Sequence, residues 1–515
     1  MKIFSFNTLK IVRWCVIFIF LSVFTAFFSG FLLHGESVLE MTNWQLIPAI
    51  LSAAVFGSSA AFAVWLIIAL SSCFSGRIYC SWFCPLGLFQ EIVERADHAV
   101  CKNKKRVFKP AHWLFRIIFF VVIAVLIFSG AALPLGYVEP YSLFGKFASS
   151  LIRSLFFWIN NNTVNLNQSA VFYDQRWIAA LAFYGILLFI FIALIVFKGR
   201  IFCNTLCPAG TLLALLARYS RRGGQLVIDK DKCVKCGKCV KVCNANCIDI
   251  NDSQSIDFAR CFMCLECVGA CPVKAVKFIS KKSARSAAGG QVSSISERRK
   301  FIGGTLLAGA AAFFAGKFTV KAAPARQGIV PPGAGSQDEF LARCTGCGLC
   351  IANCRGGCLQ PAVSEYGLRG FMLPVMTFSG SNPGKCEYEC NNCTANCPTG
   401  ALKHLSLKEK QLCRIGMAKF YPQSCVAYSD GHPCGACSEH CPTGALKMVP
   451  GPHKFATVPQ VTGRLCIGCG NCQYACPVTP QAIRIEPVKK QSRAADPSLL
   501  PKNKDAGKVP SSIPF

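Results

Sequence analysis

Cysteine is the residue whose spacing carries chemistry in this sequence. Of 34 cysteines in 515 residues, 24 fall in six runs of four; four runs have the form Cys-x2-Cys-x2-Cys-x3-Cys, two have a longer first spacing, and four of the six end in Cys-Pro. Two such runs wrap two 4Fe–4S clusters, with three thiolates of each run on one cluster and the fourth reaching its neighbour. A disulfide framework has no use for the tight triplet, and structural zinc takes two separated Cys-x2-Cys pairs without the trailing Cys-Pro. The chemistry implied is one-electron transfer.

Two runs stand close together: Cys233, Cys236, Cys239 and Cys243, then Cys261, Cys264, Cys267 and Cys271 before Pro272. Crossed ligation puts one cluster on Cys233, Cys236, Cys239 and Cys271, and a second on Cys261, Cys264, Cys267 and Cys243. Asn244 occupies the place where Pro is usual, after Cys243. Four further runs lie between Cys344 and Cys476. They are Cys344, Cys347, Cys350 and Cys354; Cys386, Cys390, Cys393 and Cys397; Cys425, Cys434, Cys437 and Cys441; and Cys466, Cys469, Cys472 and Cys476. Arg355 after Cys354 also departs from Pro. Six clusters account for 24 of the cysteines at four ligands each.

A second pattern is duplicated. Gly76-Arg77-Ile78-Tyr79-Cys80, closing on Cys84-Pro85, matches Gly199-Arg200-Ile201-Phe202-Cys203, closing on Cys207-Pro208. Residues four apart share one helix face, so Cys80, Cys84, Cys203 and Cys207 are placed to converge between two equivalent units. Three uses are open for them: a metal or cluster site, a redox-active dithiol, or packing as small apolar residues. Cys15, Cys73, Cys101, Cys247, Cys358 and Cys413 remain. Cys247 and Cys358 align with a small residue and read as packing thiols; Cys413 reads as a packing or unassigned thiol, with substitute ligand for the inner runs as the alternative.

The elements that must position these cysteines begin with apolar stretches. Ile11–Leu33, Leu46–Cys73, Trp113–Leu133 and Trp177–Phe197 each reach the roughly 20 residues that a bilayer crossing needs. The loop after the second carries Arg77, Arg95, Lys102, Lys104, Lys105, Arg106 and Lys109, and the segment Lys198–Lys300 is basic as well. This asymmetry places the N-terminus, that loop and the region after Phe197 in the cytoplasm, and the loop Pro134–Arg176 outside. The net charge of +30 is thus spent at the membrane, and no helix-turn-helix or aromatic-plus-basic stripe points to nucleic acid. A fifth, weaker apolar segment starts at Phe301, behind Glu297-Arg298-Arg299-Lys300. It resembles an internal twin-arginine export signal, with an ordinary fifth helix as the alternative. Either way the following residues lie outside the cytoplasm.

The expected fold is therefore an α-helical membrane domain of four spans plus a fifth, with α+β ferredoxin-like iron–sulfur domains. Its divisions are a membrane domain at 1–224, a cytoplasmic two-cluster ferredoxin domain at 225–280 and a linker with the fifth segment at 281–325. A periplasmic four-cluster domain at 326–488 and a disordered tail at 489–515 follow. The spans hold no paired His, and no Cys-x-x-Cys-His or Gly-x-Gly-x-x-Gly occurs, so haem, flavin and NAD are not expected.

The duplicated motif with its ferredoxin region, residues 1 to about 280, resembles the NapH-type membrane subunit of quinol dehydrogenases that feed periplasmic nitrate reductase. Nitrous-oxide-reductase accessory proteins and an oxidase-assembly family share the motif. Residues 296 to 488 resemble the NapG-type four-cluster ferredoxin partner. The combined resemblance implies a fusion of the two in a bacterial inner membrane. It would oxidise quinol from the membrane quinone pool and pass electrons to a periplasmic cytochrome c or terminal reductase. A maturation factor delivering electrons or metal to a partner oxidoreductase is the alternative.

The NapG resemblance also implies a nested pairing, outer runs together and inner runs together. It assigns Cys344, Cys347, Cys350 and Cys476 to one cluster, and Cys466, Cys469, Cys472 and Cys354 to another. The third takes Cys386, Cys390, Cys393 and Cys441, and the fourth Cys425, Cys434, Cys437 and Cys397. Glu139 is a candidate proton acceptor for an outer quinone site, with a solvated loop residue as the plainer reading.

Overall fold

The computed structural model describes residues 6–30, 42–100, 108, 113–155, 175–219, 224–251, 254–280, 327–379, 384–453 and 456–497. The twin-arginine-like stretch, the fifth apolar segment, the Asn-rich stretch 160–167 and the residues beyond 497 lie outside this set.

Uninterrupted Leu, Ile, Val and Phe make the long helices. Phe6–Ser29 and Gln175–Lys198 have 24 residues each, about 36 Å at 1.5 Å per residue. Within them, Lys10–Ser29 and Arg176–Lys198 are long and apolar enough to cross a membrane by length and composition. The other two expected spans differ from expectation. Leu46–Cys73 is broken: Leu46–Phe56 ends at Gly57 in the left-handed region (φ 64°), and Ser58 caps Ser59–Ser75 by accepting from Ala61 N. The two pieces fold back on each other, so that the Tyr79 hydroxyl meets the backbone N of Leu46 at 3.2 Å. The third helix is shorter than Trp113–Leu133, ending at Phe128.

The segment after it also corrects the sequence reading. Leu135–Val138, Pro140–Phe147 and a π-helical turn at Ala148–Ile152 pack inside the bundle. The duplication therefore extends upstream of the cysteine motif. Each copy runs as a long helix, short helical elements, a second long helix and then Gly-Arg-x2-Cys-x3-Cys-Pro.

The iron–sulfur units are built from small two-stranded sheets. In the first, β1 (Gly224–Ile228) pairs antiparallel with β4 (Val276–Ser280), and β2 (Ile248–Asp249) with β3 (Ser255–Ile256). In the second, β5 (Leu359–Pro361) pairs with β6 (Pro374–Met376), and β8 (Leu446–Pro450) with β9 (Thr457–Val461). The second unit is closed by β7 (Cys413–Phe420) against β10 (Ile483–Arg493). The expected tail at 489–515 consequently starts too early, because Arg493 still pairs with Cys413 after a bulge between Pro487 and Ser492.

The two units dock at opposite ends of the helices. Phe6–Ser29 makes this plain: Arg13 donates to Cys264 O of the first unit at 3.1 Å, while Gly30 packs on the backbone of Ala352 in the second.

Candidate iron–sulfur and thiol sites

Four of the six runs, those starting at Cys233, Cys261, Cys344 and Cys466, curl their thiols inward by the same backbone device. The second residue after the first cysteine and the residue after the second cysteine take left-handed φ. These are Lys235 and Gly237, Met263 and Leu265, Gly346 and Gly348, and Gly468 and Gly470. The glycines of the 344 run answer a second demand as well, since a β carbon on Gly348 would overlap Ser149 Oγ.

In the first unit, Cys243, Cys261, Cys264 and Cys267 line one cavity, together with Cys247, Arg200 and Phe262. Cys239 has Cys233 and Cys236 as its nearest charged neighbours, and Cys271 packs against the same core. Burial pushes the Cys264 thiol up to about 12, with Cys261 adding to the rise. Ligation must therefore displace protons from these thiols as it supplies positive charge.

The second unit does not follow the nested pairing. Cys397 neighbours Cys344, Cys347 and Cys350, and shares a packed core with Cys344 and Cys350. Cys354 stands beside Cys386, Cys390 and Cys393. Cys425, Cys434, Cys437 and Cys476 line a second cavity. Cys441 neighbours Cys466, Cys469 and Cys472. Thus Cys476 is not with Cys344, nor Cys354 with Cys466, nor Cys441 with Cys386, nor Cys397 with Cys425. The reason is that runs adjacent in sequence cross within each half of the unit. The halves are then joined side by side, through β7–β10 and the 2.9 Å bond from Cys386 N to Cys469 O. Cys413 lies on β7, its thiol facing Gln491 Oε1 at 3.5 Å.

These contacts put the four groups in a row. Cys350 neighbours Cys393, Cys386 is bonded to Cys469, and Cys472 neighbours Cys437. The Cys344 group is at the helical bundle and the Cys425 group at the far end.

At the other end of the bundle, Cys80, Cys84, Cys203 and Cys207 are brought together, all buried. Burial pushes Cys203 up to about 11, with Cys80 adding to it and Arg77 and Arg200 opposing. Gly210 N donates to Cys207 Sγ at 3.2 Å, and Cys203 Sγ lies 3.2 Å from Gln90 Oε1. Arg77 crosses between the two motif copies, donating to Cys203 O and Asn204 Oδ1, both at 2.7 Å. Among the described residues no three His, Cys, Asp or Glu form a single-ion site. A four-iron cluster sits between its thiolates and spreads them farther apart than a lone zinc ion does.

The sequence reading missed what the motif arginines do. Arg77 and Arg200, one from each copy, both stack on the ring of Phe262, 4.5 and 4.9 Å from its centroid. Phe262 lies between Cys261 and Cys264, and Ser81 Oγ donates to its carbonyl at 2.7 Å. The presence of Arg in both copies was the available signal. At the opposite end, Lys146 Nζ donates to Thr345 O at 2.6 Å and Arg153 to Ile351 O at 2.8 Å.

Glu139 is no solvated loop residue. It is 2% exposed and caps Pro140–Phe147, accepting from Tyr141 N at 2.9 Å and from Ser142 N. Burial raises its carboxyl, against the pull of these bonds and Lys146. Tyr79 lies near both Cys84 and Glu139, and Tyr141 near both Glu139 and Cys347. Of the histidines, His404 stacks on Phe56 at 4.2 Å, while the rings of His440 and His453 face backbone carbonyls.

Comparison with known proteins agrees with the cysteine reading. A 4Fe-4S binding domain matches residues 60–107 and 180–224, and a 4Fe-4S dicluster domain matches 232–275 and 432–480. A further 4Fe-4S binding domain matches 341–357. An uncharacterized protein of Methanocaldococcus jannaschii is 25% identical over 213 residues, 41% of this chain and 68% of that protein. Protein NirI of Paracoccus denitrificans is 27% identical over 251 residues, 44% of this chain but only 30% of NirI. The methylamine utilization ferredoxin-type protein MauM of Methylorubrum extorquens is 31% identical over 165 residues, covering 30% of this chain and 71% of MauM.

Proposed function

The chain belongs to the ferredoxin-type iron–sulfur proteins of electron transfer, and from that premise we propose that it is a membrane-embedded quinol dehydrogenase component. It delivers electrons to a periplasmic cytochrome or reductase. The carrying observation is the pair of cavities, each walled by four run cysteines drawn from two runs, with Cys247 beside those of the first. In this reading the remaining four groups also ligate 4Fe–4S clusters, making six. Two face the cytoplasm and four the periplasm, as in a fusion of NapH-like and NapG-like parts.

A bound 4Fe–4S group supplies one-electron storage at a potential set by burial and hydrogen bonding. The chain's own residues supply ligands, order and insulation. Cys80, Cys84, Cys203 and Cys207 stand between the two units as a metal or redox site. Glu139, raised by burial beside Tyr141, is the carboxyl group placed to accept a quinol proton. Among the described residues the buried Tyr141 hydroxyl has no hydrogen-bond partner.

Four spans remain the membrane reading, at Phe6–Ser29, Ser59–Ser75, Trp113–Phe128 and Gln175–Lys198. Its support is the apolar belt these helices expose: Phe18 and Ile19, Phe62 and Ile67, Phe115 and Ile118, Ile186 and Phe189. Large contiguous apolar surface of this kind requires lipid or a partner to cover it.

The test is full-length, cluster-loaded protein in lipid nanodiscs, assayed for iron, sulfide and reduction by a soluble quinol. The expected result is about 24 irons per chain, from six clusters of four, with quinol bleaching the visible absorbance. Full iron content without any reduction by quinol overturns the dehydrogenase assignment.

A further inference from the structure

Two cysteines that packing was expected to explain occupy the same place in both iron–sulfur units. Cys247 follows Cys243 by four residues, and its sulfur is 3.6 Å from Cys243 Sγ. Cys358 follows Cys354 by four residues, and its sulfur is 3.8 Å from Cys354 Sγ. Both side chains are 1% exposed. Each also stands near the first cysteine of the partner run, Cys247 by Cys261 and Cys358 by Cys386.

The backbone repeats the likeness. Cys247 immediately precedes β2 and Cys358 immediately precedes β5, and each offers its carbonyl at 2.8 Å, to Asp257 N and Thr377 N respectively. These are also the two runs in which Asn244 and Arg355 replace the Pro after the fourth cysteine. A fifth thiol therefore lies against the fourth cysteine of a run, beside the ligand thiols of one group, in each unit. One group is Cys243, Cys261, Cys264 and Cys267, and the other is Cys354, Cys386, Cys390 and Cys393.

We propose that Cys247 and Cys358 are not ligands but built-in S–H donors, each hydrogen-bonding the ligand sulfurs of one cluster and so raising that cluster's potential above that of its neighbour. The inference rests on the cluster assignment made above. Its direction follows from ligation itself. Cys243 and Cys354 bind iron as thiolates and give up their protons, so the fifth thiol is the only one of each pair left to donate. A hydrogen bond to a cluster sulfur stabilises the more negative, reduced form. Packing alone asks for a small apolar side chain at these positions and gives no reason for sulfur at both.

Full-length, cluster-loaded protein carrying C247A, C358A or C247S is assayed for iron and titrated potentiometrically under electron paramagnetic resonance. Wild-type iron well short of six clusters undoes the cluster assignment itself and is read before any variant. With that satisfied, C247A is expected to keep its iron and to move one cluster of the first unit to lower potential. C358A is expected to do the same to one cluster of the second unit. C247S, which retains a donor, falls between C247A and wild type. Loss of about four irons per chain in either alanine variant identifies the thiol as a ligand and overturns the proposal. Unchanged potentials with full iron leave packing as the sole role, and overturn it as well.

Discussion

At the scale of single residues, what a cysteine does is decided by which thiols stand around it rather than by its place in a run. Cys397 is the sharpest case, because the nested pairing sends it to Cys425 whereas it packs with Cys344 and Cys350. A double variant separates the two. C344S and C397S are each expected to cost about four irons per chain, and the double variant no more than either alone, since both remove ligands from one cluster. A loss of about eight irons in the double variant would restore the nested scheme. Cys354 shows how finely the surroundings act. Its hydrogen bond with Cys358, assisted by Leu359 N and Arg153, holds its thiol below the usual range against the upward push of burial. Glu139 carries the same lesson for a carboxylate, since nothing in Tyr137-Val138-Glu139-Pro140 announces that the residue is buried.

At the scale of elements, the helices are tied together by charge as well as by apolar packing. Glu91, on Pro85–Val100, accepts from Arg13 of the first helix and from Arg200 of the second motif copy, the latter at 3.1 Å. Arg200 also reaches Glu94 at 3.2 Å, and all four groups are almost fully buried. Removing one member of such a network leaves an uncompensated charge out of water, which costs about 3–5 kcal/mol. Glu91→Gln is therefore expected to lower the thermal midpoint of the detergent-solubilised protein markedly, while substitution of exposed Lys277 leaves it nearly unchanged. An unmoved midpoint in Glu91→Gln means that water or lipid head groups already screen the network. Arg200 ties this network to the ferredoxin unit, because the guanidinium that meets Glu91 and Glu94 also lies over Phe262.

At the scale of the whole molecule, the cysteine groups form one series. The Cys233 and Cys243 groups of the first unit come first, then the four-thiol site behind Phe262. Tyr79, Glu139 and Tyr141 follow, and then the Cys344, Cys354, Cys441 and Cys425 groups in turn. One continuous packed core holds Cys243, Cys261, the four motif cysteines, Tyr79, Tyr141 and Leu349, so the series runs through the bundle without a break. In oriented membrane vesicles, protease added from one face is expected to cut the unit at 224–280, and protease from the opposite face the unit at 327–497. Cleavage of both units from the same face would contradict the two-ended arrangement.

The sequence by itself determined the candidate ligands, the duplicated motif and the division into two cysteine-rich units, since cysteine spacing and apolar runs are local properties of the chain. It also pointed to the separation of the two units, because charge bias beside apolar segments is read along the chain. Only the tertiary structure decided which fourth cysteine stands with which group, that residues 139–150 are buried, and that Arg77 and Arg200 meet on one ring. Each of these depends on contacts between segments distant in sequence, and no spacing rule reaches across such a gap. Cys247 and Cys358 sit on that boundary. Their position four residues after a fourth cysteine was visible from the start, but their place near a second ligand thiol exists only once the partner run has folded against them.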